Sequence, residues 1–160
     1  MLFRSTGGGR FAIFIPAWDE QAVIGAMLKH LLATIDHDDY RVYVGVYPND
    51  RATIDAVAAV AMVDHRVRMV IGSAPGPTTK ADCLNSLWRA LERDRAAGGV
   101  AVRAVVLHDA EDVVHADELR VFDALLGRYA TVQLPVLPLV NRRSQLVAGH
   151  YLDEFAEAHA

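Results

Sequence analysis

The 160-residue chain is 52% hydrophobic and 22% charged, which suits one globular domain with a sizeable core and excludes a disordered chain. A formal charge of −4 and a pI near 5.9 give no basic footprint of the kind a nucleic-acid binder needs, so small charged ligands are the partners left open. The single cysteine, Cys83, excludes an internal disulfide, no apolar run reaches the length of a membrane span, and residues 1–10 lack a signal peptide's hydrophobic region, so a soluble, cytoplasmic chain is expected.

Residues 1–10 (MLFRSTGGGR) read as a flexible lead-in. Gly7, Gly8 and Gly9 precede the first strand with no Gly-Lys-Ser/Thr after them, which argues against a phosphate loop. FAIFIP (11–16) is an apolar run ending in proline, the pattern of a buried strand. Asp19 is the expected N-cap of a helix to about residue 35, with Ile24, Met27, Leu28, Leu31 and Leu32 on one buried face. RVYVGVY (41–47) is the next strand, followed by a helix over 53–63 that buries Val57, Ala58 and Ala61. RVRMVIG (66–72) is the third; its loop SAPGPTT leads to a helix over 80–96 with Leu84, Leu87, Trp88 and Leu91 as one stripe, and Cys83 as a buried structural thiol. VRAVVLH (102–108) is the fourth, followed by the acids Asp109, Glu111 and Asp112 and a helix over 117–126.

Strands alternating with amphipathic helices predict an α/β fold with a mainly parallel sheet and right-handed crossovers. After Gly127 the alternation stops. TVQLPV (131–136) reads as a short or edge strand, since Pro135 cannot donate to a ladder; 139–145 is an expected loop with Arg142 and Arg143, and 146–159 an expected helix. No second half closes the crevice, so the chain is expected to be part of a longer protein. An open sheet with 131–136 at its edge would favour pairing with another copy, a homo-oligomer.

Side chains two apart in extended chain point the same way, so Asp109 and Glu111 can present oxygens to one divalent cation, Mg²⁺ or Mn²⁺, shared with a phosphate. Taken alone, these acids suit equally a solvated loop beside a helix N-terminus. Loops at one end of a parallel sheet converge on one crevice. Here they carry Trp18, Asp19 and Glu20 after the first strand, Asn49 and Asp50 after the second, Lys80, Asp82 and Asn85 after the third, and the acids after the fourth. Each cluster has an ordinary reading as caps, turn residues or exposed first-turn charges; their joint occurrence points to a shared site. His108 and His115 flank the acids, as extra ligands or, for His115, in the turn before a helix.

Read together, IPAWDE (15–20), YPND (47–50), TKADCLN (79–85) and HDAED (108–112) resemble the ordered motifs of glycosyltransferase family 2, the GT-A fold that binds a nucleotide-diphospho-sugar. HDAEDVVH and the tail QLPVLPL with GHYLDEFAEAH (149–159) are similar to the bacteriophage adsorption protein B family, inner-membrane proteins with such a domain. The resemblance runs from Phe11 to the end and covers the first, nucleotide-binding half of a GT-A domain. It implies a Rossmann-like sheet, a UDP- or GDP-type donor, a Mn²⁺ or Mg²⁺ cofactor, an unidentified acceptor, inversion at the anomeric carbon, and a parent protein at the cytoplasmic face of a bacterial inner membrane. By the same resemblance, Pro16, Ala17, Glu20, Asp50, Lys80 and Asp109 would bind the donor, and Asp109 and Glu111 the metal, with Asp112 beside them. The general base would lie in a later segment, and the Gln-x-x-Arg-Trp motif of processive members is absent.

Two departures, Asp19 in place of the usual asparagine and Asp82 as an added acid, make the crevice more negative. If the metal or Lys80 does not compensate, the alternative is a non-catalytic scaffold module of a polysaccharide-export or phage-adsorption system. A nucleotidyltransferase ranks last, because PAWDEQA has neither the glycine-rich loop nor the basic residues that such enzymes place after the first strand.

Overall fold

The computed structural model describes residues 8–98 and 100–135. The chain divides into two units, Met1–Ala130 and Thr131–Ala160. In the first, β1 (Arg10–Pro16), α1 (Ile24–Thr34), β2 (Tyr40–Val46), α2 (Arg51–Ala61), β3 (Val67–Ile71), α3 (Lys80–Gly98), β4 (Val102–Leu107) and α4 (Glu118–Leu126) alternate as expected. The strands form one parallel sheet in the order β3-β2-β1-β4, an α/β Rossmann-like arrangement consistent with the GT-A fold.

β1 lies between β2 and β4, and its residues Phe11 to Ile15 are at most 2% exposed. A strand covered on both faces must be apolar throughout, which is why FAIFI shows no polar alternation. Phe11, Ile13 and Ile15 join a core with Ile24, Leu28 and Leu31 of α1, Val57 and Val60 of α2 and Leu119 of α4. Ala12 and Phe14 face the other way, onto Tyr43 and onto Leu87, Ala90 and Leu91 of α3. The winding reverses after β3, since β4 pairs on the opposite side of β1. With crossover handedness kept, a reversal places the connecting helix on the other face of the sheet, and α3 is found there. The carboxyl ends of β1 and β4 therefore form a topological switch point, where ligands of open α/β sheets bind.

Four sequence expectations are corrected. α1 begins at Ile24 with Val23 at the N-cap and no side-chain cap, so Asp19 does not cap it; its backbone N–H is held by Asp50 instead. α2 starts before Thr53 and is capped by Asp50, whose Oδ1 accepts the Thr53 N–H at 3.2 Å; its buried residues are Thr53, Val57 and Val60. The buried stripe of α3 is Cys83, Leu87, Ala90 and Leu91, with Trp88 49% exposed. Close approach to the sheet selects small residues there: a Cβ on Gly45 of β2 would stand 2.4 Å from Cys83 Sγ. Residues 131–135 form no strand, Pro135 having no N–H to give a ladder. Residue 136, the expected loop 139–145 and the expected helix 146–159 lie outside the described residues.

Gly45→Ala should therefore destabilise the domain by about 1–3 kcal/mol through overpacking, read as a lower urea midpoint. Cys83→Ala in the same chain should restore part of the loss by removing the clashing sulfur. An unchanged midpoint for the single variant would contradict the close α3–sheet packing.

Candidate functional site

The loop after β1 is fixed from below by α2. Asp50 is 8% exposed; its Oδ2 accepts the Asp19 N–H at 2.7 Å while Oδ1 caps α2, and the Thr53 hydroxyl oxygen accepts the Glu20 N–H at 3.0 Å. Asp19 meets this demand at φ 57°, a left-handed conformation that aspartate tolerates better than most residues. Burial pushes the Asp50 carboxyl up, but the N–H of Asp19 and the hydroxyl and N–H of Thr53 outweigh it and hold it below the usual aspartate value. Ala17, 1% exposed, donates its N–H to Gly45 O at 2.8 Å, so Pro16 and Ala17 run against the end of β2.

A second tie joins the loops after β2 and β3. Asn49 Nδ2 donates to Gly76 O at 2.8 Å, and its Oδ1 accepts the Gly76 N–H at 2.7 Å. Tyr47 Oη lies 3.1 Å from Thr78 Oγ1, and the Trp18 and Tyr47 rings meet edge to face at 5.2 Å. Gly76 fits against both rings, where a Cβ would stand 2.5 Å from Trp18 carbons. This loop delivers α3, whose N-terminus is closed by a reciprocal pair: Thr79 Oγ1 accepts the Asp82 N–H, and Asp82 Oδ2 accepts from the Thr79 hydroxyl and N–H. Asp82 also lines, with Tyr47, Cys83, Asn85, Ser86 and Arg89, a groove of about 220 Å³. Burial pushes the Cys83 thiol up, as suits a structural cysteine.

From the first residue of α3, Lys80 Nζ reaches across to Asp109 Oδ1 beyond β4. Both side chains are more than half exposed, so the pair contributes little to stability and can be exchanged for a ligand. Glu20 is raised above its ordinary value first by burial, then by the negative charges of Glu111, Asp19, Asp109 and Asp50. Asp50 and Thr53 tie the loop after β1 to the start of α2, Asn49 ties the loop after β2 to that after β3, and Lys80 ties the start of α3 to the loop after β4, all at the carboxyl edge of the sheet.

Both ring nitrogens of His108 face carboxylates. His108 Nδ1 lies 3.2 Å from Asp112 Oδ2, and its Nε2 lies 2.8 Å from Glu118 Oε1, off the line of an ideal hydrogen bond. Burial alone would lower the imidazole; contact with and charge from Glu118, then Asp112, outweigh it and raise His108. His115 Nδ1 accepts the Asp117 N–H at 3.1 Å, in the turn before α4. The sequence reading missed the roles of Thr53, Gly76 and Glu118. Their partners lie on other loops, and only the pairing of Asp50 with Thr53 at helix-cap spacing was visible.

Among the described residues, no group of three or more His, Cys, Asp or Glu side chains is arranged to hold a metal ion. Mg²⁺-type sites in phosphate-binding enzymes use one or two carboxylates and complete their shell with substrate phosphate and water. Residues 109–112 form a turn rather than the extended chain expected, yet Asp109 and Glu111 are both exposed on it and fit that two-carboxylate set.

The chain matches the family model described as "Glycosyltransferase like family 2" over residues 9–160, and it belongs to that family. It is 40% identical over 148 residues to "Bacteriophage adsorption protein B" of Escherichia coli (strain K12), and equally to "Bacteriophage N4 adsorption protein B" of Escherichia coli O157:H7. These matches take in 92% of this chain and 20% of each relative's length. No helix among the described residues is long and apolar enough to cross a membrane.

Two outcomes follow. Asp50→Asn should cost about 1 kcal/mol at neutral pH by weakening the cap and the Asp19 tie, measured by urea unfolding. Because the folded pKa of Asp50 is depressed, its stabilisation is complete above the unfolded value near about 4 and is lost as pH falls through the folded value. The variant should therefore lose less stability than wild type on acidification, and parallel pH profiles would refute this role. Separately, Gly76→Ala in a Trp88→Phe background should shift the indole emission of Trp18, whereas an unshifted spectrum would contradict the packing of Gly76 on that ring.

Proposed function

We propose that this chain is the N-terminal, donor-binding part of a metal-dependent inverting glycosyltransferase domain, taking a UDP- or GDP-type nucleotide-diphospho-sugar. The carrying observation is the convergence of one lysine and four acids, Glu20, Asp50, Asp109 and Glu111, from four loops on the switch point. Pro16, Ala17, Glu20 and Asp50 lie on the side of the nucleobase and ribose in this reading. Lys80, released from Asp109, pairs with a donor phosphate. Asp109 and Glu111 would hold a Mn²⁺ or Mg²⁺ ion. When bound, that ion neutralises the departing nucleoside diphosphate as a Lewis acid.

An acceptor hydroxyl attacking the anomeric carbon needs a general base within hydrogen-bond reach, and we assign that base to a part of the parent protein beyond this chain. The 20% share of the relatives' length supports reading the chain as one portion of a larger protein. The relatives' printed names support a parent engaged in bacteriophage adsorption, which we place at the cytoplasmic face of a bacterial inner membrane.

Titration calorimetry of UDP and GDP into the chain, with Mn²⁺ and again with EDTA, tests the reading. Binding of one nucleotide should require Mn²⁺ and fall by at least about tenfold in Asp109→Asn/Glu111→Gln. A folded chain that binds neither nucleotide with Mn²⁺ would overturn it in favour of a non-catalytic scaffold module.

A further inference from the structure

The turn that carries Asp109 and Glu111 is built from inside. Ala110 and Val114 are 2% and 6% exposed and seat the turn on the core, which leaves Asp109 and Glu111 on its exposed side. The turn closes on itself twice: Asp109 O accepts the Asp112 N–H at 3.2 Å, and Asp112 Oδ2 accepts the Asp109 N–H at 2.8 Å. The same Asp112 oxygen faces His108 Nδ1. The far side of that ring faces Glu118, a buried carboxylate in the first turn of α4, beside the fully buried Leu119. At its backbone His108 continues the sheet, donating its N–H to Phe14 O of β1 at 3.0 Å.

We propose that Asp112, His108 and Glu118 are positioning residues: a carboxylate–imidazole–carboxylate clamp that fixes the Asp109 backbone between β4 and α4 and so aims the Asp109 and Glu111 carboxylates at the donor site. The clamp rests on the donor-site reading above. Two acids can share a small hard cation only if their oxygens are held at its short radius, and a turn closed by backbone hydrogen bonds alone leaves that direction to thermal motion. Glu118, buried in the first turn of α4 where the helix N-terminus favours a carboxylate, stands 2.8 Å from His108 Nε2. In the clamp the imidazole transmits the position of α4 to the oxygen that holds the Asp109 N–H. Groups that orient metal-binding side chains without touching the metal typically govern affinity by about 10–100-fold.

The test uses wild type, Asp112→Ala, Asp112→Asn, Glu118→Ala and Glu118→Gln, with Mn²⁺ affinity measured in the presence of UDP or GDP, and hydrogen exchange of the Asp109 amide measured without metal. Both alanine variants should bind Mn²⁺ about 10–100-fold more weakly and exchange the Asp109 amide faster. Asp112→Asn and Glu118→Gln keep an acceptor oxygen and should restore both readouts. Asp112 is partly exposed, so its variants fold even if loss of Glu118 perturbs α4. Wild-type binding with unchanged affinity or exchange in the alanine variants overturns the clamp and leaves the donor site standing. An asparagine variant as weak as the alanine overturns it too, since Asp112 would then act through its charge. Wild type that binds no Mn²⁺ with either nucleotide overturns the donor-site reading, and the clamp with it.

Discussion

One buried carboxylate, that of Asp50, sets where the site can be. Its two oxygens hold the first turn of α2 and the backbone of Asp19, and Thr53, the residue whose N–H it caps, holds Glu20. These bonds pair the N–H groups of Asp19 and Glu20 and fix the course of the loop after β1. The tie obliges Asp19 to adopt its left-handed conformation and brings Glu20 into the field of Asp109 and Glu111. The buried Asp50 side chain is therefore an architectural one, and the exposed groups Lys80, Asp109 and Glu111 are those able to exchange partners.

Topology does the rest. Because β4 pairs with β1 on the side away from β2, the loops after β1 and β4 open at the reversal of winding, and the loop after β3 delivers Lys80, the first residue of α3, to the same edge before the helix crosses the opposite face of the sheet. The result is a negatively charged crevice with one lysine, and charge of that sign repels a bare diphosphate. A cation would resolve the conflict, which is why metal dependence and donor binding stand or fall together in the proposed function.

The sheet was legible in the residues because β1 from Phe11 to Ile15 and β2 from Val42 to Val46 are buried and carry no charged side chain. FAIFIP and RVYVGVY could hardly be anything else, and each structural boundary falls within a residue or so of its expected place. The convergence of Glu20, Asp50, Lys80 and the β4 acids was legible for a different reason: in a parallel sheet every strand end lies at the same side. What could not be read was which acid does structural work. By sequence Asp19 looks like a cap and Asp50 like a turn residue, and only the fold shows that Asp50 caps while Asp19 is held. The α3 stripe was misplaced by a partial turn because Trp88 outweighs Cys83 in hydrophobicity, whereas the Gly45 surface admits only the smaller side chain. Residues 131–135, expected as a short or edge strand with Pro135 already weighed, form none.

The central claim is that one crevice, at the ends of β1 and β4, takes the metal and the nucleotide. Paramagnetic broadening of backbone amides by substoichiometric Mn²⁺ in the presence of UDP or GDP tests it most directly, because the effect falls steeply with distance from the ion. Broadening centred on residues 109–112 and extending to Glu20 and Lys80 is the predicted result. Broadening centred on another acidic segment, such as residues 36–39, with 109–112 unaffected, would contradict it.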